Sequence, residues 1–273
     1  MNSSLKFYFD QAQNLSIDHQ WISRDFDFFL NAIGIASTTI ALKDDLEISS
    51  ETISSVNNFF TSYVEGIPLD YILNVSEFMG YEFYVDPRVL IPRPETELIV
   101  DWVLDLSLNK NSTILEAGTG SGCIAISICL KNKNLKILAT DISDEALEVA
   151  VLNREKHHAY NVTIIQSNWM SCLRKNSLDL VISNPPYLKP NDAHLEDLQN
   201  EPLVALISEN GSQGFHDIAI QAMFSLKPGG KIIFEHGYSQ AIEVSNILKD
   251  YGFNNVVSKK DFQGLDRYTY ANK

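Results

Sequence analysis

The sequence predicts a mostly parallel α/β sheet covered by helices on both faces, preceded by a small helical domain. Three features carry this. From about residue 94, short apolar runs alternate with helical segments and turn signals, the pattern of repeated strand–helix–strand units. One such run passes through the glycine-rich turn "EAGTGSG" (116–122) into a helix. Residues 1 to about 80 lack this alternation and instead place apolar side chains every three or four positions.

In the first part, "SSETISSVNNFFTSYVEG" is the clearest helix. Ile53, Val56, Phe59, Phe60 and Val64 form its apolar stripe, and Gly66 and Pro68 stop it. Residues 1–77 are accordingly expected to form a helical domain that docks a substrate. Residues 78–93, "FMGYEFYVDPRVLIPR", alternate around aromatics and suggest a β-hairpin linker with its turn at Asp86-Pro87. Residues 94–273 make up the α/β domain.

Within that domain "STILEAG", "LKILATD", "VTIIQSN", "SLDLVISN" and "KIIFEHG" read as strands. "SGCIAISICLKN" is a helix opened by Ser121. Ser143 caps "DEALEVAVLNREKHH", where Asp144 and Glu145 suit the positive end of the helix dipole. "GFHDIAIQAMFSLK" is a helix stopped by Pro228-Gly229-Gly230, and "SQAIEVSNILKDY" is another. The end of the chain, "NNVVSKKDFQGLDRYTYA", reads as two strands joined by a loop.

The composition, 45% hydrophobic and 21% charged over 273 residues, supports a buried core and excludes a disordered chain. No run of 18 apolar residues suggests a membrane span, and the start lacks the charge and apolar pattern of a secretory signal. Three cysteines without a CxxC pair argue against a disulfide framework or a zinc site, and a cytoplasmic location is expected. The net charge is −14. Residues 1–80 hold three Lys/Arg against eleven Asp/Glu, a net of −8. Without a dense basic cluster, direct nucleic-acid binding is not expected; the acidity serves either solubility or attraction of a basic partner.

The residues that carry chemistry sit where strands end. In the glycine turn the backbone can approach a ligand, and the helix start offers free N–H groups. An acid, Glu116, precedes the first glycine. A pyrophosphate would be repelled by it and an ammonium attracted, which points to S-adenosylmethionine rather than a dinucleotide. Glu116, Gly118, Thr119, Gly120, Ser121 and Gly122 are the candidate contacts, the alternative being a turn that only packs helix on strand. Asp141 ends the next strand, about twenty residues past the glycines, the spacing at which an acid takes ribose hydroxyls. Asn168-Trp169 ends the third strand, where an amide could read an adenine edge and an indole could pack on its face; a core role for the tryptophan is the alternative.

The fourth strand exits through Asn184-Pro185-Pro186-Tyr187. Prolines have no N–H, so this turn is stiff and its carbonyls lack local competition. The Asn184 amide can accept a hydrogen bond while Tyr187 offers a flat face. Together they make a socket for a planar group bearing an –NH2, with Asn184 and Pro185 as the catalytic pair, Pro186 and Tyr187 as further substrate contacts, and Asn184 also expected to touch the cofactor. His157-His158 reads as a solvated helix end, His236 lacks an evident carboxylate partner, and no spacing suggests a metal site.

Taken together, "VLIPRPETE" (89–97), "EAGTGSG", "SNPPY" and "HGYSQ" resemble the bacterial protein-(glutamine-N5) methyltransferases that modify peptide chain release factors, over about residues 60–273. The resemblance implies a class I S-adenosylmethionine-dependent methyltransferase fold, Rossmann-like, with seven strands of which the last is antiparallel. It implies methyl transfer to the glutamine of the Gly-Gly-Gln loop of class I release factors, leaving S-adenosylhomocysteine. Gly118, Gly120 and Gly122 would border the methionine part, Asp141 the ribose and Trp169 the adenine; Asn184 and Pro185 would hold the glutamine amide. Glu116 and Asn168 stand where the family more often has Asp. Asn-Pro-Pro-Tyr also occurs in enzymes that methylate DNA adenine. Such an enzyme and a non-catalytic cofactor-binding module are the alternatives.

Overall fold

The computed structural model describes residues 4–43, 45–106 and 108–273. The expected domain spans 1–77 and 94–273 therefore include a few positions (1–3, 44 and 107) that lie outside the described residues. The chain divides into two compact units, Met1–Val75 and Ser76–Lys273.

The first unit holds α1 (Leu5–Leu15), α2 (Ile22–Ala32), α3 (Ser37–Leu42), α4 (Ser50–Val64) and α5 (Leu69–Leu73). Its core is aromatic. Phe26 and Phe59 are fully buried, and the rings of Phe26 and Phe60 and of Phe29 and Phe59 lie 4.9 and 4.8 Å apart. These come from the stripe that the α4 periodicity marks out and from a matching stripe on α2. Ser49 starts α4 by accepting the Thr52 N–H.

The second unit opens with a hairpin, β1 (Ser76–Phe78) and β2 (Tyr81–Phe83). Its turn falls at Met79-Gly80, both at positive φ, and not at Asp86-Pro87. The Asp86-Pro87 pair makes a separate turn beyond the hairpin, closed by the Val89 N–H on the Asp86 carbonyl. A short 3-10 turn (Pro94–Thr96) leads into α6 (Glu97–Asp105).

The α/β part then runs β3 (Thr113–Ala117), α7 (Cys123–Lys131), β4 (Lys136–Asp141), α8 (Asp144–Lys156), β5 (Val162–Gln166) and β6 (Leu178–Ser183). It continues with α9 (Leu203–Leu206), α10 (Gln213–Ser225), β7 (Leu226–Glu235), α11 (Ala241–Asp250), β8 (Asn254–Lys260) and β9 (Asp266–Asn272). The seven-stranded sheet has the order β5-β4-β3-β6-β7-β9-β8, parallel except for β9, which is antiparallel to both its neighbours. The chain builds outward from β3 to β5 and then returns to β6. This reversal opens a crevice at the carboxyl ends of β3 and β6.

One face of the sheet packs on α6 and α7 through Ile114, Ile182 and Ile233; the other packs on α10 and α11 through Leu115, Val181 and Phe234. Both sides of the central strands are buried, which is why they read as continuous apolar runs. Two details depart from the sequence reading. Gly122, at φ +81, is the cap of α7, and Ser121 lies one position before it. A side chain at Gly122 would also press on Ile126 and Ala150. Pro228-Gly229-Gly230 does not separate a helix from a loop. Helix α10 ends at Ser225, and the three residues form an irregularity inside β7, whose register against β6 shifts between Leu178 and Leu180. No described helix is long and apolar enough to cross a membrane.

Candidate active site

The crevice holds a cavity of about 950 Å³, its open mouth included. The glycine turn forms one wall through Gly118, Thr119, Gly120 and Ser121. Its shape is set by hydrogen bonds. Gly118 and Thr119 donate their N–H groups to the Thr140 carbonyl, and Gly120 donates to Asp141 Oδ2 at 2.9 Å.

Glu116 lies at the floor, 1% exposed. Its Oε2 accepts from Thr119 Oγ1 at 2.7 Å and from the Ala125 N–H at 3.0 Å. Burial nevertheless pushes its carboxyl up to about 8, against those two donors and with nearby Asp141 adding to the rise. Asp141 is also raised by burial, offset by N–H groups from Gly120 and Ser143. Gly120 donates to its Oδ2 and Ser143 to its Oδ1, at 2.9 and 3.0 Å. Ser143 caps α8 as its position suggests, accepting the Ala146 N–H.

Trp169 and Asn168 close the far side. Trp169 sits at φ +53, a costly conformation for a bulky residue that its packing must hold. Its indole lines the cavity and also packs on the core beneath α10 and α11. A Cβ on Gly118 would stand 3.3 Å from the ring, so glycine is what lets turn and indole meet.

From the strand exit, Asn184 and Pro186 reach the cavity wall. Pro185 is buried, 3.2 Å from where a Gly214 Cβ would be, and Tyr187 packs on the second core. Neither stands on that wall, and Gly122 does not either.

The structure adds residues that the strand-end rule does not single out. The stretch 88–96 crosses the cavity through Arg88, Val89, Leu90, Pro92, Arg93 and Thr96. Just before this stretch, buried Asn153 of α8 ties Tyr84 to the glycine turn, accepting the Tyr84 N–H and donating to the Tyr84 and Ser121 carbonyls. Buried Glu201 ties the middle of the stretch, accepting the Ile91 N–H at 3.0 Å and pairing with Arg93. Tyr268 of β9 donates to the Glu95 carbonyl. "VLIPRPETE" was visible as a motif, but nothing local says that it folds over the cavity.

Residues 96–234 match the family model described as "Methyltransferase small domain". A "Release factor glutamine methyltransferase" of Coxiella burnetii is 33% identical, the alignment covering 84% of this chain and 83% of that protein. The chain belongs to the release factor glutamine methyltransferase family. A "Bifunctional methyltransferase" of Rickettsia typhi is 36% identical over 84% of this chain, which spans only 49% of that longer relative. The crystal structure of a methyltransferase from Pyrococcus furiosus superposes with a TM-score of 0.54 at 18% identity, covering 82% of this chain and 99% of that one. The sheet is therefore that of class I S-adenosylmethionine-dependent methyltransferases. The cavity wall brings together the buried carboxyl of Glu116, the carboxylate of Asp141 and the indole of Trp169.

Proposed function

We propose that this chain transfers a methyl group to the side-chain amide nitrogen of the glutamine in the Gly-Gly-Gln loop of class I peptide chain release factors. The observation that carries it is Asn184: a side-chain amide at the end of β6, on the wall of a cavity that also presents the glycine turn and Glu116. Membership of the family supplies the acceptor class. S-adenosylmethionine, when bound, supplies an electrophilic methyl on a sulfonium and leaves as S-adenosylhomocysteine.

Glu116 meets the cofactor's ammonium, Asp141 its ribose hydroxyls, and Asn168 and Trp169 its adenine; Gly118, Thr119, Gly120, Ser121 and Gly122 shape the turn around it. An amide nitrogen is a weak nucleophile because its lone pair is delocalised. The protein's main contribution is therefore position. The Asn184 Oδ1 and the Pro185 carbonyl accept from the acceptor –NH2, and Pro186 and Tyr187 keep this turn rigid. Residues 1–77 dock the release factor, their net −8 over residues 1–80 suiting a basic surface. The reaction belongs to the cytoplasm, where release factors work, and needs no direct contact with nucleic acid.

Labelled cofactor offered with release factor, with release factor whose Gly-Gly-Gln glutamine is replaced, and with adenine-rich DNA is expected to label the first alone. Added salt should slow labelling at low release-factor concentration, since it screens the docking charge. Transfer to DNA, or equal transfer to the replaced factor, would overturn the acceptor; salt-independent labelling would overturn electrostatic docking.

The cofactor contact is tested separately. Asp141→Ala is expected to weaken cofactor binding by roughly tenfold to a hundredfold, the worth of a charge-assisted hydrogen bond. An unchanged dissociation constant by calorimetry would remove Asp141 from the ribose site.

A further inference from the structure

We infer that Glu235 is a positioning residue for methyl transfer, holding the Asn184 side-chain amide in the one orientation that offers its oxygen to the acceptor. This rests on the proposed role of Asn184. Strand register makes the pair. Ser183 of β6 lies opposite Phe234 of parallel β7, so the next residues, Asn184 beyond β6 and Glu235 at the end of β7, come side by side. They also lie on the same face, because side chains alternate and Ile182 and Ile233, two positions earlier, are partners there too.

The contact between them has a direction. Asn184 Nδ2 donates to Glu235 Oε1 at 3.0 Å. A carboxylate accepts and cannot donate, so a flipped Asn184 would set its own oxygen against another acceptor. Glu235 is 2% exposed, and water cannot relieve that repulsion. The amide is therefore fixed with its –NH2 turned to Glu235 and its Oδ1 left free, on a residue that lines the cavity. Donating to an anion also polarises the amide and makes that oxygen a better acceptor.

Among the described residues neither Glu235 Oε2 nor Thr96 Oγ1, which lines the same cavity, has a hydrogen-bond partner. An unpaired buried oxygen costs stability and calls for another reason to be there. The charged and titratable groups around it are Arg267 and Tyr268 of β9, Arg93 and Glu95 of the crossing stretch, Tyr187 of the strand exit and Cys123 at the start of α7. Burial raises Glu235 to about 7, with the Arg267 and Arg93 charges opposing the rise and Glu95 adding to it. The orienting anion thus forms as pH rises through neutrality.

The test is a cycle of wild type, Glu235→Gln, Asn184→Ala and the double variant, with cofactor affinity and thermal midpoint measured on each. Labelling of release factor by the wild type checks the underlying function by itself. Gln keeps an acceptor but carries no charge and allows both amide orientations. We expect Glu235→Gln to lower kcat at least tenfold, to leave the cofactor dissociation constant within about twofold, and to lose the rise of kcat with pH near 7. In the Asn184→Ala background the same change should cost nothing further, because Glu235 acts through that amide. A wild-type kcat in Glu235→Gln, or an equal loss in both backgrounds, would overturn the assignment.

Discussion

Asn184→Ala is expected to lose on the order of 10²-fold or more in turnover while cofactor affinity stays near that of the wild type. The reacting nitrogen has little nucleophilicity of its own, so the rate depends on how well the amide is held. Removing the side chain deletes the Oδ1 acceptor and leaves the Glu235 carboxyl without its donor. The cofactor contacts proposed here lie mainly on other elements, the glycine turn and the ends of β4 and β5, so binding should survive. Single-turnover kinetics with pre-bound cofactor separates the two effects. A near-normal rate in the variant would mean that backbone carbonyls of the proline turn suffice to hold the acceptor.

Much of this site was legible in the sequence because each element announces itself locally. Glu116, Asp141, Trp169 and Asn184 each lie at or just beyond the end of an apolar run, and parallel strands bring their carboxyl ends to one edge. What was not legible depends on neighbours in space. Glu235 also ends an apolar run, but its meaning comes from β7 lying next to β6, which no local pattern states. Glu201 and Asn153 act by reaching a stretch far away in the chain.

The hairpin turn was misplaced for a different reason. Asp86-Pro87 is the stronger turn signal, whereas Met79 takes a left-handed conformation that its side chain does not advertise. Gly122 replaces Ser121 as the α7 cap because the chain must enter the helix at positive φ beneath Ala150, where a serine would be strained and crowded.

Glu116→Gln should stabilise the cofactor-free protein increasingly as pH rises from 5 to 8. The Glu116 carboxyl is held at about 8 in the folded protein, by burial, against 4.5 for an ordinary glutamate. Between those values the folded chain binds more protons than the unfolded one, so its stability falls with pH. The contribution is whole below about pH 4.5 and is lost as pH rises through about 8. At about 1.4 kcal/mol per pH unit between 4.5 and 8, the penalty accumulated by pH 8 is on the order of 4 kcal/mol, a large share of a typical domain's stability. Gln avoids it, since its oxygen can accept from both Thr119 and Ala125 as Oε2 does now. Urea unfolding of both proteins should show a gap near zero at pH 5 that widens towards pH 8. Glu235 adds a pH dependence of the same sign to both and cancels in the difference. An ammonium beside Glu116 offsets the cost of ionising it, so a bound cofactor should narrow the gap at pH 8. A gap that stays flat with pH would mean that Thr119 and Ala125 alone keep the carboxylate ionised, and that no cationic ligand is needed to balance it.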